Sequence, residues 1–228
     1  MTAIAALATP EQIVIAADSR QLNVGNGEQL SVCKIRDHET IFTGSGGISA
    51  YSGTGFNLYD SIDIELPESH FEDAVDVIQK AAEKPLLDAL LHFHKHDHKN
   101  FERLAVAQLP VSLICARFKD NVSVMTEITA RVQILEGPPI PFQLKYSREH
   151  YCGLNSKIGS FFVGDRGRIQ HYSWMAGFGF KTSEDMIKLA KQFVQDHIDT
   201  NIPSVGPPID ILKLTKDGPK WIQKKEGC

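Results

Sequence analysis

The chain has 228 residues, 42% of them hydrophobic and 23% charged, with Lys+Arg 24 against Asp+Glu 28. This is ordinary globular composition, long enough to bury a substantial core, and it is read as a single domain over residues 1–228. A net charge of −4 with no basic run argues against a nucleic-acid partner. No apolar stretch approaches the roughly 20 residues of a membrane helix, so no membrane is expected either.

The four cysteines, Cys33, Cys115, Cys152 and Cys228, form no CxxC pair. Their scatter suggests reduced thiols rather than a disulfide framework or a zinc ribbon. The apolar start lacks a basic region, and Pro10 and Glu11 interrupt it, so it is read as a strand and not a signal peptide. The expected location is cytoplasmic.

Thr2 to Ala8 and the β-branched run Ile13 to Ala17 predict a hairpin around Thr9-Pro10-Glu11-Gln12. Asp18-Ser19-Arg20 closes the second strand, and Gln21 to Leu30 reads as a loop. Val32–Ile35 and Thr40–Thr43 predict another hairpin, running into Gly44-Ser45-Gly46-Gly47. Residues 48–67 give no clear pattern. Phe71, Ala74, Val75, Ile78 and Ala82 lie on one helical face, and the pattern resumes after a kink or restart at Pro85.

Strands are expected at Val111–Phe118 and Val122–Ile128, around Lys119-Asp120-Asn121. The prolines in 135–155 predict an irregular excursion, and Phe161-Phe162-Val163 a short strand. Ser183 is the expected cap of a helix carrying Met186, Ala190, Phe193, Val194 and His197. A last hairpin turns at Lys216-Asp217-Gly218. Strands grouped apart from helices predict an α+β fold with helices on antiparallel sheets.

The first candidate for chemistry is Thr2. Removal of Met1 would put a free α-amine, with a pKa of about 7.7–8.0, on the residue that carries the hydroxyl. A threonine hydroxyl needs such a base to become a nucleophile. Asp18 follows Thr2 by 16 residues and Lys34 by 32. Thr2, the run Ile13-Val14-Ile15-Ala16-Ala17-Asp18-Ser19-Arg20, Lys34 and Gly44-Ser45-Gly46-Gly47 together resemble the proteasome β-subunit family of N-terminal-nucleophile hydrolases. The likeness is clear over the first fifty residues. Val111 to Thr129 and Ser204 to Trp221 echo it more faintly.

The resemblance implies a four-layer α/β-β/α sandwich, two antiparallel sheets between helix layers. It implies a threonine-type hydrolase cutting a peptide or small amide, with no cofactor, assembled as a homo-oligomer such as a ring. Thr2 would be the nucleophile, and Lys34 would favour its alkoxide. Asp18 would pair with Lys34, Gly47 would supply an oxyanion-hole N–H, and Arg20 would organise the loop. Two positions depart from the family pattern. Asp165 stands where a serine is usual, and Asn201 stands three residues before Ser204 where an aspartate is usual. Either change alters the charge around a threonine amine, so a non-catalytic relative with the same fold stays open beside the peptidase and amidase readings.

Taken singly, these features are bland. A Met-Thr start, a solvated Asp-Ser-Arg turn and a glycine loop are common. No Lys-Ser/Thr follows Gly44–Gly47 to make a phosphate loop. His92, His94, His96 and His98 could bind a metal, but they read first as a solvated helix end, so no metal is assigned. Asp60, Asp63 and Glu65 form an ordinary acidic stretch.

Overall fold

The structure is a computed structural model that describes residues 2–22, 29–38, 41–46, 70–99, 101–102, 111–135 and 142–227. Strands β1 (Ile4–Thr9) and β2 (Gln12–Asp18) form the expected hairpin, with Thr9 opposite Gln12 across Pro10-Glu11. On one side β1 pairs with β10 (Gly159–Val163); on the other, β2 pairs with β11 (Ile209–Thr215), which pairs with β12 (Gly218–Gln223). The first sheet therefore has the order β10-β1-β2-β11-β12.

The second sheet has the order β5-β6-β7-β8-β9, from β5 (Ile35–His38), β6 (Ile41–Gly46), β7 (Val111–Lys119), β8 (Val122–Ile134) and β9 (Phe142–Cys152). Every pairing recorded in both sheets is antiparallel. The β7–β8 turn sets Asp120 and Asn121 at φ 53° and 60°. Two successive left-handed residues match the twist of a tight hairpin, and Asp and Asn tolerate them better than most residues.

Strand alternation distributes the core. Ala3, Ala5, Leu7, Val14 and Ala16 meet helices α2 (Arg166–Gly177) and α3 (Ser183–Ile198), through Tyr172, Met186, Ala190, Phe193 and Val194. Ile4, Ala6, Ala8, Ile13, Ile15 and Ala17 turn the other way and meet Ile35, Ile114, Ala116, Met125 and Tyr151 of the second sheet. The opposite face of that sheet carries helix α1 (Phe71–His96), whose Phe71, Ala74, Val75, Ile78, Leu86, Leu90 and Phe93 cover Leu113, Cys115, Ile128, Ala130 and Val132. Each large apolar side chain so buried contributes about 1.5–3 kcal/mol. The chain is thus mixed α+β, two antiparallel sheets in contact with helices packed on both outer faces.

The structure corrects several expectations. Helix α1 runs through Pro85 without a break. The loop expected over Gln21–Leu30 is flanked by a small ladder, β3 (Arg20–Leu22) with β4 (Gln29–Ser31). The hairpin expected over Val32–Ile35 and Thr40–Thr43 is shifted, so that Val32 and Lys34 precede its first strand. The irregular excursion over 135–155 holds the eleven-residue strand β9. Helix α2 was not expected at all. Helix α3 is capped by Thr182, whose hydroxyl accepts from Asp185 N–H while the Asp185 carboxylate accepts from Thr182 N–H, a reciprocal capping box. Ser183 is its first helical residue. Cys33 is disulfide-bonded, against the expectation of reduced thiols, while Cys115 and Cys152 are free. No helix among the described residues is long and apolar enough to cross a membrane.

Candidate active site

The polar end of the β1–β2 hairpin gathers around one carboxylate. Asp18 is fully buried, and its two oxygens take four donors. Oδ1 accepts from Lys34 Nζ at 2.6 Å and from Ala3 N–H at 2.9 Å. Oδ2 accepts from Gly206 N–H at 3.1 Å and Arg20 N–H at 3.2 Å. The Asp18 N–H in turn donates to Ala3 O at 3.1 Å. Thr2, 8% exposed, is the residue directly before Ala3, so the oxygen that receives Lys34 also fixes the strand start that presents Thr2. Asp18 and Lys34 are bonded directly, and Thr2 is tied to that pair through the backbone of Ala3.

Lys34 is 2% exposed. Burial holds its ammonium below the ordinary lysine pKa, and the charge and hydrogen bond of Asp18 act against that shift. Desolvating both charges costs several kcal/mol each, and only a close, well-bonded pair recovers that cost. An ammonium has three protons, and the Asp18 bond uses one. A lysine of this kind can stabilise a nearby developing negative charge and can release a proton more readily than one in water.

Arg20 and Gly206 are fitted to each other. A Cβ on Gly206 would run into the Arg20 guanidinium, which would have to move aside. Ser204 is half-buried in the turn leading there, where Val205 N–H bonds Ile202 O at 2.9 Å.

The two departures from the family pattern have local explanations. Asp165 is the N-cap of α2, with Oδ1 accepting from Gly167 N–H at 3.0 Å and Arg168 N–H at 3.2 Å. Its carboxylate serves the helix end. Asn201 is exposed and left-handed, at φ 54°, and its N–H bonds Ile198 O at 3.0 Å as the chain leaves α3. Asparagine tolerates that backbone better than most residues do. Gly47 lies outside the described residues, as do Asp60, Asp63 and Glu65.

Sequence reasoning missed a histidine as a site neighbour. His197 is fully buried. Its Nδ1 lies 2.8 Å from Phe193 O, and its Nε2 accepts Asp165 N–H at 2.9 Å. These bonds fix a neutral ring with the proton on Nδ1, and burial pushes its pKa down. A Cβ on Gly164 would strike the same imidazole. The visible signal was His197 on the apolar stripe of α3, which reads equally well as core. Among the described residues, no three His, Cys, Asp or Glu side chains converge as metal ligands. No protein-family model matches the chain, and no curated protein matches it.

Proposed function

We propose that the chain is an N-terminal threonine hydrolase of the proteasome β-subunit-like type, cleaving peptide amide bonds once Met1 is removed. The observation that carries this reading is the shared Asp18 Oδ1, which binds Lys34 Nζ and the amide directly after Thr2. In the reaction, the Thr2 α-amine takes the hydroxyl proton, directly or through a water, as Oγ bonds to the amide carbonyl carbon. The Lys34 ammonium favours the alkoxide character of Oγ as its proton leaves, and the negative charge then passes to the carbonyl oxygen. The C–N bond breaks as the leaving amine takes that proton, leaving an ester on Thr2. Water then adds to the ester, its C–O bond breaks, and the acid product departs with the threonine hydroxyl restored. Asp18 takes no part as a base, because its oxygens already accept four donors.

On this reading the protein works in the cytoplasm as a homo-oligomer and uses no cofactor. The intact mass of the native protein tests its first requirement, since loss of one methionine exposes the Thr2 amine. Thr2→Ala in the processed protein is expected to lower amide turnover by roughly a thousandfold or more, with the melting temperature almost unchanged. Undiminished turnover in that variant overturns the mechanism. The commitment of the Asp165 carboxylate to a helix cap, and the exposure of Asn201, favour a second reading: a non-catalytic relative with the same sandwich. A retained Met1, together with failure of a threonine-directed covalent probe to label the protein, would select that reading.

A further inference from the structure

A second buried carboxylate lies one step along the β2–β11 ladder from the first. Asp18 pairs with Ile209, and Ala17 pairs with Asp210. Asp210 is 1% exposed. The mechanism above leaves it unused, and two neutral donors meet its oxygens. Ser19 Oγ donates to Oδ2 at 2.9 Å, and Lys225 N–H donates to Oδ1 at 2.6 Å. A buried carboxylate is costly to keep unless its lone pairs are occupied. This one is occupied by two parts of the chain far apart in sequence.

Both parts lead back to the site. Ser19 follows Asp18 directly, is itself fully buried, and its backbone joins Gly206 O and Val32 N–H at 3.2 and 2.8 Å. Lys225 belongs to the C-terminal segment beyond β12. From there its Nζ reaches Ser31 Oγ at 3.0 Å, three residues before Lys34. Two residues on, the Gly227 carbonyl oxygen lies 3.9 Å from Sγ of Cys33, the disulfide-bonded residue next to Lys34. The segment therefore touches the arm that carries Lys34 at two points. Through Asp210 it grips the arm that carries Asp18.

We propose that Asp210 is a positioning residue that uses the segment Lys224–Gly227 as a strap to hold the Asp18 and Lys34 arms against each other. Its consequence for turnover rests on the hydrolase reading; its consequence for Lys34 does not. With the strap released, the segment before Lys34 loses its anchors, and the ammonium gains access to water. Lys34 then becomes reachable by reagents while its titration moves up toward the ordinary lysine value, so the gain in acylation is largest at the high-pH end, where the free amine dominates in both forms.

The test is the rate at which an amine-acylating reagent modifies Lys34 across a pH series in the full chain, read by peptide mass, with exposed Lys216 as the internal reference. Asp210→Ala is expected to speed Lys34 acylation about tenfold relative to Lys216 by opening that region locally. Asp210→Asn, which keeps an acceptor for Ser19, should recover part of the protection. A chain ending at Gln223 keeps Asp210 and lacks both the strap and Cys228, so it should speed Lys34 acylation at least as much as the alanine variant does, and it gives the answer if that variant fails to fold. A folded Asp210→Ala or shortened chain that acylates Lys34 at the wild-type rate throughout the pH series overturns the proposal. If the wild type turns over amides, both variants should lower kcat with KM held. A wild type without turnover counts against the hydrolase reading and leaves the acylation result to decide this one.

Discussion

The β1–β2 and β8–β9 hairpins are both antiparallel pairs, but their surroundings differ. The first is covered on both faces, and every residue from Ala3 to Ala8 and from Ile13 to Ala17 is fully buried. Its only buried polar groups, Thr2, Asp18 and Ser19, lie at one end, and Asp18 and Ser19 are held by hydrogen bonds reaching other parts of the chain. The second hairpin ends the other sheet, and along β9 most side chains from Gln143 to His150 are exposed or half-buried. Polar residues there bond to neighbours that water could replace. A charge at the end of the first hairpin is therefore costly and specific, whereas a charge on the second is cheap.

Substitutions sharpen the contrast. Asp18→Ala removes the partner of a buried ammonium and the acceptor of three backbone amides. It should destabilise the fold by about 3–5 kcal/mol, the range for breaking a buried pair from one side. Chemical denaturation measures this. Lys34→Ala should cost less, because Asp18 keeps its three amide donors. A loss from Lys34→Ala equal to that from Asp18→Ala would show that the amides contribute little.

The next effect in size concerns His197, beneath the same end of the first sheet. Its folded pKa lies below the usual 6.5, so the unfolded chain binds a proton first as pH falls. Stability is then lost below pH 6.5, down to the lowered value, at up to about 1.4 kcal/mol per pH unit. Burial drives the shift. The Phe193 carbonyl, Asp165 and Asp18 oppose it, while Arg168 adds to it. Thermal melts from pH 7.5 to 5 should show this slope in the wild type and a shallower one in His197→Gln. The smallest effect is expected on the second hairpin. Arg148 bonds Asp76 at 2.7 Å and Gln79 at 2.6 and 2.8 Å, but all three sit at the surface. Arg148→Ala should therefore change stability by no more than about 1 kcal/mol. A loss as large as that from Asp18→Ala would erase the contrast.

The same difference governs what could be read from the sequence. A strand buried on both faces is an unbroken apolar run, so β1 and β2 were legible, and the polar residues ending them stood out. Thr2, Asp18 and Lys34 are singled out because their separations resemble those of the proteasome β-subunit family. Strand β9 alternates weakly, follows prolines and carries Arg148, Glu149 and His150 on its surface, so nothing marked it as a strand. Helix α2 buries Tyr172 and Ala176 while exposing Trp174 at 65%, and its C-cap Phe178 is 72% exposed, which leaves no single apolar stripe to detect. Beyond the side chains of Lys34 and Ser19, the partners of Asp18 and Asp210 were invisible for another reason. They are backbone amides of Ala3, Arg20, Gly206 and Lys225, and an amide has no identity in a sequence.

The bond from Gly206 N–H to Asp18 spans 188 residues. A chain emerging from the ribosome makes its first hairpin almost at once, yet it cannot finish this corner until Gly206 has been synthesised. Contacts of such long range form late and slowly. On the proposed reading, a hydrolase assembled in this order would remain switched off until the segment carrying Gly206 had emerged and docked.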